Sequence, residues 1–367
     1  MKIFQIIFSL SSGGAERLVV NLSNELAKGH AVSIISVQKL DDANSFYKNL
    51  ISSGVSVIDL SNTRGITLKA VYQVFHLIRK NKPDIVHAHL NTIFFCFLPA
   101  LFLSKNVNFF HTLHSLADKT VGFKFQKSIN KYFYKKKITP IGISNLCGES
   151  FKKFYDLPNI SIIENGVPEP KKSPLFPNVR LEFEEYRNTK STKIFVNVTR
   201  LSKEKNHELL ISSFNELIKE GHDISLIIIG RSENRAYYDN LRSISINGIY
   251  FLGEKSNPID YLLNSNCFVL SSLWEGLPMT ILEAMSCGLP TVSSPVGGIP
   301  DILREQYLGV LSKDLEIKNF KKSIIDFLNK GSDTYDKIKI YKYFSANYSI
   351  KLCSEKHLNL YNNQNKF

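Results

Sequence analysis

Residues 2–37 read KIFQIIFSLSSGGAERLVVNLSNELAKGHAVSIISV, and this stretch decides the fold class. KIFQIIFSL is an almost unbroken apolar run, the mark of a strand buried on both faces. Over residues 15–28 the period changes: Leu18, Val19, Leu22 and Leu26 share one helical face, and Gly29 stops the helix. AVSIISV is then a second buried strand. Parallel strands need such a crossover, so the stretch is a β-α-β unit.

The rhythm continues outward. Strands are expected at 55–60, 84–89, 107–114, 140–144 and 160–163, with helices near 67–80 and 146–155. Between 168 and 190 the pattern breaks into PEPKKSPLFP and a polar run without periodicity, so a linker is expected over 169–190. The alternation restarts with strands at 193–199, 224–230, 249–253, 267–272, 290–294 and 307–311 and a helix over 206–219. The expected class is α/β, with two doubly wound parallel-sheet, Rossmann-like domains at 1–168 and 191–344. A last helix, within 345–367, places Ile350, Cys353, His357 and Leu360 on one face and is expected to pack back towards the first domain.

Composition narrows the classes. A chain of 367 residues with 43% hydrophobic and 22% charged residues has the balance of a water-soluble globular protein, which excludes disordered and collagenous chains. Cysteines 96, 147, 267, 287 and 353 form no close pairs, so neither a zinc site nor a redox dithiol is written, and the set suits a reducing cytoplasm. The apolar run 93–103 is about half of the roughly 20 residues that a spanning helix needs. The N-terminal run is too short for a signal peptide and leads into a helix pattern, which makes it the first strand.

Net charge is +13, and residues 1–170 hold most of it, with 20 Lys+Arg against 11 Asp+Glu. Within them 119–137 carries seven lysines and no acid, interleaved with Phe123, Phe125, Tyr132, Phe133 and Tyr134. Such a stretch suits an anionic membrane surface, a nucleic acid or plain solvation. No nucleic-acid recognition module accompanies the charge, so nucleic acid is not the expected partner.

Ligands of doubly wound sheets bind beyond the carboxyl ends of the strands. There, Gly13 and Gly14 open a helix and let backbone approach a phosphate or sugar. Arg200 and Lys205, in TRLSKEKN after a strand, suit a diphosphate. Glu275 and Glu283 lie eight residues apart, one in a loop and one about a turn into the helix that Pro278 helps start, and both can accept from hydroxyls. Gly297 and Gly298 repeat the glycine-rich helix start. His87 and His89 alternate on one strand without a third ligand and read as structural or cleft-lining, while His111 faces away from His114 and reads as core.

GGAER (13–17), His114 in HTLHS, ENGV (164–167), RLSKEKN (200–206), EGLPMTILE (275–283) and CGLPTVSSPVGGIPD (287–301) together resemble the retaining family 4 glycosyltransferases. Family members usually carry Glu where Asp301 stands here. The resemblance covers nearly the whole chain and implies the GT-B fold, with an acceptor-binding first domain and a nucleotide-sugar-binding second domain. It also implies that Arg200 and Lys205 hold the donor diphosphate, that Glu275 bonds the transferred sugar and that Glu283 bonds the ribose. Gly276, Leu277, Pro278, Met279 and Thr280 would complete the donor site, Gly13 and Gly14 would lie by phosphates and acceptor, and His114 would sit near the sugar. No D-x-D triplet occurs, so no metal or other cofactor is expected.

The expected reaction moves a hexose or N-acetylhexosamine from a UDP-sugar to a lipid-linked glycan precursor of a bacterial surface polysaccharide. The expected place is the cytoplasm, peripheral on the anionic inner membrane face, with Lys124, Lys127, Lys131 and Lys135 as the docking surface. A nucleotide-sugar epimerase on the same fold is the alternative, and a basic nucleic-acid-binding protein a more distant one.

Overall fold

The computed structural model describes all residues except 42–44, 63–64, 123–124, 233, 332–333 and 364–367. The chain forms two units, Met1–Pro168 with Tyr348–Phe367, and Glu169–Asn347.

The first unit is a seven-stranded sheet of β1 (Lys2–Ile7), β2 (Ala31–Gln38), β3 (Val55–Asn62), β4 (Ile85–His89), β5 (Asn108–Leu113), β6 (Ile138–Gly142) and β7 (Ser161–Ile162). Its order is β3-β2-β1-β4-β5-β6-β7, with every pairing parallel. The connections contain α1 (Gly14–Leu26), α2 (Leu68–Asn81), α3 (Ile93–Leu103), α4 (Gln126–Lys136) and α5 (Asn145–Tyr155). Phe4, Ile6, Val86 and Ala88 point to the face covered by α2 to α5, where they meet Val74, Phe95, Phe133 and Phe151. Side chains alternate along a strand, so Gln5, His87 and His89 point the other way. The run 93–103 is α3, and no described helix is long and apolar enough to cross a membrane.

The second unit contains α6 (Phe176–Glu185), β8 (Lys193–Val198), α7 (His207–Lys219), β9 (Ile224–Ile229), α8 (Arg235–Ser243), β10 (Ile249–Gly253), α9 (Pro258–Asn264) and β11 (Cys267–Leu270). It continues with α10 (Met279–Ser286), β12 (Thr291–Ser293), α11 (Ile299–Ile302), β13 (Gly309–Leu311), α12 (Ile317–Asn329) and α13 (Lys337–Tyr348). The sheet order is β10-β9-β8-β11-β12-β13, again all parallel.

Two expectations need correction. The stretch 169–190 is not a bare linker: it belongs to the second unit and holds α6, with a proline in the first turn and Val179 and Phe183 buried one turn apart. Ser173 anchors its start, its N–H donating to the buried Asp260 carboxylate at 3.0 Å. The last helix also does not run unbroken from 345 to 361. Ser349 forms a parallel bridge with Val167, which separates α13 from α14 (Ile350–Asn363). α14 packs on α1 in the first unit and buries Tyr361 where Leu360 was expected.

Candidate active site

In each sheet the strand order reverses direction at one point, between β1 and β4 and between β8 and β11. Loops diverge there and leave a crevice beyond the strand ends. Gly13, Gly14, His114, Arg200, Lys205 and Glu275 all lie in segments that follow strands at or next to such a point.

In the second unit, the loops after β8 and β11 are tied together. Lys205 Nζ donates to Glu275 Oε1 at 2.7 Å, and Ser272 Oγ donates to the same oxygen at 2.7 Å. The two charged side chains are only 19% and 10% exposed, so the pair lies in a site largely shielded from water. Ser271 Oγ donates to the carbonyls of Lys205 and Asn206, and the Leu273 N–H donates to the Glu204 carbonyl at 2.8 Å. These bonds fix the loop backbones before any ligand arrives. Arg200 is freer: its guanidinium reaches Glu204 at 3.4 Å and is about half exposed.

Glu275 is fixed from a third side. Gly297 has φ +61, and a Cβ there would lie 1.8 Å from the Glu275 carbonyl oxygen. Only glycine satisfies both the left-handed backbone and that approach. The Gly298 N–H donates to the Gly276 carbonyl at 3.0 Å, so the glycine pair that precedes α11 also braces the Glu275 loop. Pro278 is the residue before α10, whose first turn begins with Met279 and Thr280, and Glu283 lies buried on its second turn.

In the first unit, Gly13 precedes α1 in extended conformation and Gly14 is its first residue. His114 follows β5 and is half-buried, with Nε2 3.1 Å from His89 Nδ1. Burial, then His111 and His357, push its pKa down to about 3, so its imidazole is neutral. His111 faces the opposite side of the sheet, bonded to the Tyr134 hydroxyl and the Leu90 carbonyl, and is core as expected. Among the described residues, no group of three His, Cys, Asp or Glu side chains is arranged to hold a metal ion.

Residues 178–343 match the family described as Glycosyl transferases group 1, and residues 12–169 match Glycosyltransferase Family 4. The chain belongs to the family 4 glycosyltransferases. Among its relatives, an uncharacterized glycosyltransferase of Methanocaldococcus jannaschii is 33% identical over 245 residues, 62% of this chain and 59% of that one. The chain thus spans less than two thirds of that relative's length. The UDP-Gal:alpha-D-GlcNAc-diphosphoundecaprenol alpha-1,3-galactosyltransferase of Escherichia coli is 27% identical over 296 residues, 78% of this chain and 75% of that one. A glycosyltransferase crystal structure from Rickettsia africae superposes with a TM-score of 0.83 at 19% identity, covering 100% of this chain and 98% of that chain. The fold is GT-B.

In this family 4 chain, Arg200, Lys205, Glu275 and Glu283 fall within the group 1 match, and Gly13, Gly14 and His114 within the other. The structure brings Lys205 and Glu275 into direct contact, which sequence spacing does not reveal. Three partners escaped the sequence reading: Ser272, Glu204 and Gln5. Gln5 did carry a signal, being the one amide inside the apolar run IFQIIF. Ser272 and Glu204 carried none, because polar residues in loops are ordinary.

Proposed function

We propose that the chain moves a hexose or N-acetylhexosamine from a nucleotide diphosphate sugar, with UDP as carrier, to a lipid-linked glycan precursor of a bacterial surface polysaccharide. In this reading the anomeric configuration is retained and no metal ion or nucleic acid takes part. The observation that carries it is the shielded Lys205–Glu275 pair beside Arg200 at the switch point of the second sheet.

Charge grows on the diphosphate as its bond to the sugar breaks. Fixed cations stabilise that state most, because their orientation is settled in advance. Lys205 is held by Glu275 and so is placed before the donor binds, while the more exposed Arg200 meets Glu204 at 3.4 Å and adds a second cation. Glu275 keeps acceptor capacity for a sugar hydroxyl, since a carboxylate offers about four lone-pair positions and the protein fills two on Oε1. Glu283 takes the ribose, and the backbone N–H groups of Gly276, before α10, and of Met279 and Thr280, in its first turn, are offered to phosphate. His114 contacts the sugar, and Gly13 and Gly14 leave room for the acceptor.

The acceptor class is supported by the Escherichia coli relative, whose name specifies a diphosphoundecaprenol acceptor. A peripheral position on the inner face of the cytoplasmic membrane fits the exposed surface of α4. Phe125 and Tyr132 are exposed there among Lys127, Lys131 and Lys135, while Phe133 and Tyr134 are buried in the core. Phe123 and Lys124 lie outside the described residues.

The test is product mass spectrometry with a panel of nucleotide sugars and a lipid diphosphate extract. The expected product is the acceptor heavier by one hexose or N-acetylhexosamine, in equal yield with excess EDTA or added Mg²⁺. Donor conversion without acceptor would indicate the epimerase instead, and loss of activity on chelation would overturn the metal-free mechanism.

A further inference from the structure

On the face of the first sheet that α14 covers, imidazoles collect behind His114. The rings of His87 and His89 are 4.1 Å apart, and His357 of α14 lies 5.5 Å from His87. His87, His89 and His357 are buried, and burial drives each pKa down. A neutral imidazole has one donor and one acceptor nitrogen, so its partners decide which nitrogen holds the proton.

The decision starts at Gln5, a fully buried amide on β1. Its Oε1 lies 2.7 Å from His89 Nε2. In this amide orientation, which leaves Gln5 Nε2 buried without a partner among the described residues, Oε1 only accepts, so His89 Nε2 carries the proton and His89 Nδ1 holds a lone pair. That lone pair faces His114 Nε2 at 3.1 Å, so His114 must donate from Nε2. The Nδ1 of His114, which has no hydrogen-bond partner among the described residues, then carries a lone pair.

We infer that Gln5 and His89 are positioning residues that hold His114 in the Nε2–H form, so that it offers a ligand an acceptor nitrogen. The group it suits is a hydroxyl of a sugar, not a phosphate oxygen, which needs a donor. The inference rests on the glycosyltransferase reading for the identity of that ligand, but the tautomer does not depend on it. An inverted Gln5 amide would reverse each bond and put the proton on His114 Nδ1. His87 is a parallel case that stops short of the site, with Nδ1 2.7 Å from the Tyr361 hydroxyl and Nε2 2.7 Å from Thr112 Oγ1.

The test reads the histidine tautomers of the full chain by ¹⁵N NMR at neutral pH, with His114→Asn used to assign the His114 signal. The wild type is expected to show the Nε2–H form at His114. Gln5→Met keeps the volume but removes the strong acceptor. It should yield a mixture of tautomers at His114 and lower kcat by about 10- to 100-fold, the scale of outer partners that orient a site imidazole. UDP affinity should stay near wild type, while the melting temperature should fall modestly because the buried His89 Nε2 loses its partner. A proton on Nδ1 in the wild type would overturn the inference, as would Gln5→Met with an unshifted tautomer or unchanged kcat. Because the tautomer is read without substrate, a wild type in the Nε2–H form that transfers no sugar would count against the function alone.

Discussion

Lys205 and Arg200 lie five residues apart and are assigned one task, yet their surroundings differ enough to separate them. Lys205→Ala removes the cationic partner of a carboxylate that is only 10% exposed and leaves Ser272 as its one remaining donor on Oε1. Leaving a buried charge half satisfied costs about 2 kcal/mol, so the melting temperature should fall along with transfer. Arg200→Ala breaks a pair whose guanidinium is about half exposed, which is worth at most about 1 kcal/mol. Both variants should lose about 100-fold or more in transfer, the scale of one preorganised charge-stabilising donor. Kinetics and thermal melts on the two proteins check this. Equal stability losses would show that the burial difference is irrelevant, and near wild-type turnover in both would remove the diphosphate role. The charged pair was legible because residue types at strand ends carry chemistry; the hydrogen bonds that fix it join loops 70 residues apart, which no local pattern encodes.

At the scale of elements, period and apolar runs located the strands of both sheets, because a parallel sheet buried on both faces leaves a continuous signal. Elements with mixed signals were read less well. The prolines of 168–177 hid α6, although a proline in the first helical turn is a start signal and Val179 and Phe183 mark its buried face. The split at Ser349 was invisible because a pairing with Val167, 182 residues earlier, causes it. α4 shows what an amphipathic pattern leaves open, since its aromatics divide between core and solvent. Phe133 stacks on Phe97 at 4.2 Å, whereas Phe125 is 75% exposed. Some of its cations also have local partners: Lys127 lies over the Phe154 ring, and Lys131 meets the exposed Asp156 at 3.2 Å. Such exposed contacts are weak and can yield to anionic lipid, near which each lysine contributes about 1 kcal/mol. Wild-type protein should therefore sediment with anionic vesicles at low salt. A variant with Lys124, Lys127, Lys131 and Lys135 changed to Gln should bind much less without melting earlier. Unchanged sedimentation of that variant, or no binding by the wild type, would remove the docking surface.

Across the whole molecule, buried histidines are unevenly shared, and this gives the two units different responses to acid. In the first unit His87, His89, His111, His114 and His357 all have lowered pKa values, with His111 and His357 at about 4 and His114 at about 3. In the second unit, among the described residues, His207 alone is buried and lowered, to about 4. Burial is the leading cause in each case. The unfolded chain titrates these groups near pH 6.5, so below that value it takes up protons that the fold refuses. The stabilisation is therefore complete above about pH 6.5 and is lost as pH falls towards the folded values. Each such group contributes a slope of at most about 1.4 kcal/mol per pH unit. The carboxylates with lowered pKa values, Glu204, Asp223 and Asp314, act only below about pH 4.5 and do not contribute between pH 7.5 and 5.5. Hydrogen exchange followed by mass spectrometry at pH 7.5 and 5.5, corrected for intrinsic exchange rates, should show protection falling most in peptides from β4, β5 and α14. Peptides from β8, β9 and β11 should change far less. Because α14 carries His357 and Tyr361 onto β4, it should lose protection together with that strand and not with α13, its neighbour in sequence. An equal loss in both sheets would mean that the imidazole cluster is already hydrated in the folded chain.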